Sequence, residues 1–423
     1  MNTAWRTTLG YSAIAVAFFV VSVGFVLVQV HSAQSAPTTA IDRSIAKLND
    51  EIRNQPNESK FYLGLAGAYV QKIRETADSS YYATIDKTLD EAARVDPTNA
   101  HIDAMRATVQ NGRHHFAQGR ELILKAIQQD PHVADFYGIE ADSEIELGMY
   151  SEAERTLQTM SDLKPNYSAF TRIAYLRELT GDIQGAQDAL KRAIAAGSTY
   201  TENVAWVYVE LGLLQMRKSL SDAKMSFDTA LQIEPQYAPA LEGLGKVAYA
   251  EGNAAEALSD FSQAFALRPL AQYAIDLGDV YSVQGDTAKA AQEYSLARVA
   301  YEKTSSSGVS TDMEYSLFHA DHGDSATALE KAKRAYADRP SIYGADAYAW
   351  ALYKNDRAKE ATQYVRQALR LGQNDPLIVF HAGMIAQANG HIGEAHAYFK
   401  KAESLNPHFS IFYRPILAQK LTP

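Results

Sequence analysis

The densest group of side chains able to hold a metal is His319-Ala320-Asp321-His322-Gly323-Asp324, two histidines three apart with two aspartates. Imidazole and carboxylate ligands of this kind can bind a divalent cation. Gly323, however, stands where the turn glycine of a repeated unit stands, and polar turn composition accounts for His322 and Asp324 without a ligand. His114-His115 is the other histidine pair, and adjacent residues point away from one another on a helix. The chain contains no GxxxxGK followed by Ser or Thr, no GxSxG elbow and no HExxH pair. Asn57-Glu58-Ser59 and Asn166-Tyr167-Ser168 are sequons that matter only in a glycosylating lumen. Cysteine is absent, which removes disulfides, thiolate metal sites and cysteine nucleophiles together. These residues point to no catalytic centre and no cofactor or metal.

The pattern that fills most of the chain is structural. Its clearest copy reads Leu241, Leu244-Gly245, then Gly252, Ala257, Phe261, Ala264 and Pro269; the next reads Leu277-Gly278, Tyr281, Gly285, Ala290, Tyr294 and Ala297. Leu241, Leu244 and Ala248 share one face of a first helix, and Ala257, Phe261 and Ala264 share one face of a second. Gly252 stands between them, where a chain leaving a helix often needs a left-handed residue. Gly245 and Ala257 let the two backbones approach while Phe261 fills the space beside them. A proline such as Pro269 ends the unit. No such unit buries its apolar face alone, so neighbours must stack. Copies recur with about a 34-residue period from Ser59 to Pro407, about ten in all.

These residues resemble the tetratricopeptide repeat family. The resemblance implies an all-α solenoid of helix–turn–helix units, wound as a right-handed superhelix, over residues 59–407. It also implies a protein or peptide ligand in the concave groove, lined by the first helix of each unit. Carried onto the clear copies, the groove positions are Glu242, Lys246 and Tyr249; then Tyr343, Asp346, Trp350, Tyr353 and Lys354; then Leu377, Phe380, Met384 and Gln387. An aromatic cluster with flanking charges is a seat for a peptide, since aromatics dominate binding hot spots. The competing reading packs Trp350 and Phe380 between helices. Asp135, Asp142, Glu146 and Glu178 fall on equivalent positions and would make the groove acidic there.

Outside the array, Tyr11 to Val30 carries no charge over 20 residues, enough helix to cross a bilayer core of about 30 Å. Arg6 precedes it and no charged residue follows until Asp42. The expectation is a cytoplasmic stretch 1–10, a membrane anchor 11–30 and repeats on the extracytoplasmic side. A cleaved signal peptide is the alternative, favoured by the small residues of Ser32 to Ala36. Residues 31–58 read as a tether and a lead-in helix, Ser305 to Gly308 as a surface loop or a hinge, and residues 408–423 as a cap. The formal charge of −10 argues against nucleic acid as a main partner. The function expected is a membrane-tethered scaffold for protein–protein interaction in an envelope assembly; the alternatives are a non-catalytic docking or regulatory subunit of a membrane enzyme or biogenesis system and, last, an enzyme of unknown type.

Overall fold

Small residues at fixed positions are what allow the helices to pair. A methyl group added at Gly245 would stand 2.5 Å from the Phe261 ring, and one at Gly383 2.6 Å from the Phe399 ring. Each phenyl ring therefore lies against the bare backbone of the helix before it. Turn glycines are followed by a capping side chain: Asn253, Asp182, Asp286 and Asp324 each accept a hydrogen bond from a first-turn N–H.

The computed structural model describes residues 39–372 and 374–422. Tyr11–Val30 and the stretch 1–10 lie outside them, and no helix among the described residues is long and apolar enough to cross a membrane. The described residues form helices and no strand. A lead-in helix α1 (Ala40–Asn54), closed by a Thr39–Asp42 capping box, precedes ten helix pairs. The first five are α2 (Ser59–Thr76) with α3 (Tyr81–Val95), α4 (Ala100–Gly112) with α5 (Phe116–Gln129), α6 (Ala134–Glu146) with α7 (Tyr150–Leu163), α8 (Tyr167–Leu179) with α9 (Ile183–Ala196), and α10 (Thr201–Gln215) with α11 (Leu220–Ile233). Then come α12 (Ala238–Ala250) with α13 (Ala254–Leu267), α14 (Ala271–Val283) with α15 (Thr287–Ser306), α16 (Asp312–His322) with α17 (Ser325–Asp338), α18 (Ile342–Tyr353) with α19 (Ala358–Ala368), and α20 (Pro376–Ala388) with α21 (Ile392–Leu405). A short α22 (Arg414–Leu421) follows.

The two helices of a pair have different fates. The second is one-sided: α7 buries Ala153, Leu157 and Met160, spaced three and four apart. The first is buried nearly all round, and in α6 every residue from Gly138 to Glu146 is buried, charged ones included. These inner helices face more of the same chain. The Arg339 guanidinium meets Glu146 193 residues away, the Ile342 N–H donates to the Tyr150 hydroxyl 192 away, and His114 meets the Ser310 carbonyl oxygen 196 away. A constant offset of just under six units means that successive superhelical turns rest on each other. The hairpin turn of an early unit abuts the linker between two later ones.

This seam corrects one expectation. Ser305–Gly308 lies at the surface but is shorter than a loop: α15 runs on to Ser306, and the turn at Ser307–Gly308 drives Val309 among Leu63, Tyr82 and Val109. The same seam divides the turn glycines into two kinds. Gly252 has φ +90 and open space around it, so only its backbone conformation matters. Gly148 has φ +72, and a methyl group there would stand 2.5 Å from the Pro340 carbonyl oxygen. Gly252→Ala should cost about 1–2 kcal/mol, the strain of a left-handed alanine. Gly148→Ala should cost a further ~1–3 kcal/mol of overpacking. Urea midpoints of the two variants check this; equal losses would mean the turns of the superhelix do not touch.

Candidate functional site

The inner helices α12, α14, α16, α18 and α20 carry a line of polar and aromatic side chains. At its first end Lys246 pairs with Glu242 beside Asp276, whose Oδ1 accepts from Gln272 at 2.9 Å. Next, the Tyr294 hydroxyl donates to Asp279 at 2.9 Å, and His322 Nε2 lies 3.3 Å from the same carboxylate while its ring stacks on Tyr294. Burial, and behind it the Asp276 charge, pushes Asp279 well above the carboxylate range. Burial pulls His322 down to about 4.

Beyond them stands a stack of three rings. Trp350 lies between Tyr353, 4.8 Å away, and His381, 3.9 Å away and nearly parallel. Its indole N–H donates to Asp321 at 2.8 Å, and His381 Nδ1 sits 2.9 Å from Asp346. Lys354 approaches both the Trp350 face and Asp321. The carboxylates fix both ring planes, so the stack is a rigid surface.

The chain's own C-terminal segment lies on this surface. Ile411 packs among Ala248, Phe261, Leu277 and Val280. Phe412 meets His322 edge-on at 4.8 Å. Tyr413 contacts Phe380 at 4.8 Å and stands edge-on to both His381 and Trp350. Lys420 reaches Gln387 at 2.7 Å. Burial, with the Asp321 charge after it, pushes the Tyr413 phenol well above its usual range.

The sequence-derived groove is thereby resolved residue by residue. Trp350 and Phe380 are 1 % and 0 % exposed, and Asp346 and Glu242 are also buried, so with the C-terminal segment in place these four offer no open seat. Tyr249, Tyr353, Lys354, Leu377, Met384 and Gln387 are half-buried at the edge of the C-terminal segment or of the stack. Tyr343 lies apart, packed in the seam against the cluster that holds Ile145 and Leu176. The acidic groove is neutralised: Asp142 pairs with Arg172, Glu146 with Arg339 and Glu178 with Arg217, while Asp135 sits half-buried at the start of α6. Residues 319–324 disperse: Asp321 serves Trp350, His322 faces inward as the last residue of α16, and Asp324 caps α17. No group of three or more His, Asp or Glu able to hold a metal occurs among the described residues. His381, Asp321, Ile411 and Tyr413 are site residues that repeat positions alone do not select. The apolar run from His408 to Tyr413 was the available signal for the last two.

Residues 242–303 and 378–409 match tetratricopeptide repeat models, which supports that family for the chain. No curated protein matches it. Among solved structures it is similar to the human IFIT1 dimer with m7Gppp-AAAA, at 15% identity and TM-score 0.50 over 77% of this chain and 76% of that one. Yeast Tom70 aligns over 90% of this chain and 94% of its own at 16% identity and TM-score 0.37. A tetratricopeptide repeat protein from Parabacteroides merdae aligns over 60% and 97% at 18% identity and TM-score 0.35. The first shows a shared fold.

Two outcomes follow from the burial. Trp350→Ala removes a ring packed on all sides and should cost about 3–5 kcal/mol, read as a lower denaturation midpoint. The second concerns His322, whose unfolded value is 6.5 and folded value about 4. Below pH 6.5 the unfolded chain takes up a proton that the folded chain refuses. Stability is thus full above 6.5 and falls as pH drops toward 4, by at most about 1.4 kcal/mol per pH unit for this group. His114, pulled down to about 3 by burial, adds to the same slope. The pH 7 to pH 5 change in the natural chain, compared with that in His322→Gln, isolates this contribution from the buried carboxyls, among them Asp279 and Glu210, whose raised values act in the opposite sense.

Proposed function

We propose that this chain is a non-catalytic scaffold that seats a protein or peptide segment on its inner face and is tethered to a membrane through residues 11–30. One observation carries the binding reading: a mostly non-helical segment, residues 408–413, already lies on that face, with three consecutive side chains seated in it. A surface that accommodates one such segment has the shape and the polar frame to accommodate another. The tetratricopeptide fold is in general a non-catalytic surface for protein–protein interaction, and the formal charge of −10 supports a protein over a nucleic acid as partner. The uncharged run Tyr11–Val30 with Arg6 on its N-terminal side supports the tether and repeats outside the cytoplasm, within an envelope assembly.

The test is a photo-crosslinking side chain placed at Gln387 in the full chain, expressed in membranes. Adducts with a protein partner, together with sedimentation of the chain with membranes, are expected. Protease added after permeabilising the outer barrier should digest the repeats. Crosslinks from the outer helix α13 but none from Gln387 would overturn the inner-face reading. A soluble chain would overturn the tether, and full protease protection the orientation.

A further inference from the structure

Capping the last unit accounts for only part of the C-terminal segment. Leu417 and Leu421 belong to the cluster around Phe380 and Phe399 and cover the end of the array, as a terminal unit requires. Ile411, Phe412 and Tyr413 do something else. Ile411 reaches α12, α13 and α14, three to four units back, Phe412 reaches α16, and Tyr413 reaches α18 and α20. Three consecutive residues thus bridge the inner helices of distant units, and no end-cap needs that. Arg414, the next residue, lies near enough to Tyr249 for its charge to act on that phenol.

We propose that residues 408–414 are a displaceable internal ligand of the inner face. The external partner is then a peptide of the same chemistry: an aliphatic residue, two aromatics and a cation in sequence. This rests on the inner-face reading above and adds the ligand class and its regulation. Two features make the segment displaceable rather than fixed. It hangs from Leu405, the end of α21, through the short turn 406–410. Its helix α22 has eight residues, well below the ~12–15 at which an isolated helix becomes even marginal in water. The seat, by contrast, does not depend on the segment for its shape. Trp350 is held by Asp321 and His381 by Asp346, both within the repeats. When the segment leaves, a preformed aromatic wall is exposed with Asp321 and Asp346 around it, complementary to a cation. While the segment is bound, it competes at the effective concentration of a tethered ligand, about millimolar for a short connection. A free peptide therefore binds the intact chain only weakly.

The experiment uses the detergent-solubilised full chain and a fluorescein-labelled synthetic peptide of residues 406–420. Fluorescence anisotropy compares the natural chain with full-length Ile411→Ala/Phe412→Ala/Tyr413→Ala. The variant should bind the peptide at least ten times more tightly, and a peptide with Tyr413→Ala should lose that binding. Equal affinities for the two chains, or no binding to a variant of unchanged helicity, would overturn the proposal. Should the variant fail to fold, hydrogen exchange on the natural chain decides. Amides of 411–422 should exchange through openings that leave α18 and α20 protected; exchange of the segment only in step with α20 would overturn it. Gln387 crosslinks to a partner from a chain whose segment stays protected would sink this inference alone and leave the scaffold reading standing.

Discussion

Glu146 and Arg339 meet inside the array, their side chains 2% and 5% exposed, at 3.1 Å from Nε to the carboxylate. Two buried charges are tolerated only where each satisfies the other, and removing one typically costs about 3–5 kcal/mol because the survivor has no solvent. Their placement gives the pair its reach. It joins the third helix pair to the linker before the ninth, so it exists only when the superhelix has closed a full turn. Glu314 adds a second carboxylate to the same guanidinium, and Phe116 presents its ring 5.0 Å away. An ordinary repeat array is held by contacts between neighbours and can unravel from either end. With a seam of this kind, early and late units stabilise one another, and the array becomes cooperative over its length.

Closure also explains why charged residues lie on buried helix faces. An open superhelix would leave the inner face of α6 or α18 in water, and polar residues there would be solvated. Bringing the opposite wall close removes that water, and each charge must then find a partner in protein. Arg172 takes Asp142 through two nitrogens and also the Gly138 carbonyl oxygen; Arg217 takes Glu178 and the Asn374 carbonyl oxygen. Where cations run short, the carboxyls change state instead: burial, with Glu178 and Glu242 nearby, pushes Glu210 up to about 8. The inner face is therefore a pre-ordered polar frame with aromatic rings set into it. Such frames discriminate between ligands, because an incoming group that fails to replace a hydrogen bond leaves a buried polar atom unpaired.

The unit was legible because its rules are local. Gly245 against Phe261, Gly252 at positive φ and Asn253 as a cap lie within a few residues of one another, and their spacing suffices to specify a helix pair. The seam was not legible, because nothing local marks it. Gly148 and Gly252 occupy the same turn position, yet only the first has Pro340 against it. His114 takes that position with φ 63 despite its side chain, and its carbonyl contact with Ser310 lies 196 residues away. Asp356 takes the same position with φ 59, so the residue type there does not mark which turns meet a remote segment. Ser305–Gly308 does lie at the surface, but nothing local marks Val309 beside it as an anchor.

The groove positions misled in a more instructive way. The rule that selects Trp350, Asp346 and Phe380 identifies side chains facing the axis of a superhelix, and all three do face inward. Whether an inward residue meets solvent, a ligand or its own chain depends on the pitch, which follows from how tightly successive turns stack. Here the pitch is short enough for an eight-residue helix and the turn before it to close the axial space at the C-terminal end. The inward residues here pack against the chain's own C-terminal segment, Trp350 and Phe380 meeting the Tyr413 ring. Ile411, Phe412 and Tyr413 show what chemistry that surface accepts, since they meet each condition it imposes: an aliphatic side chain over Val280, a ring edge on His322 and a phenol among Trp350, Phe380 and His381.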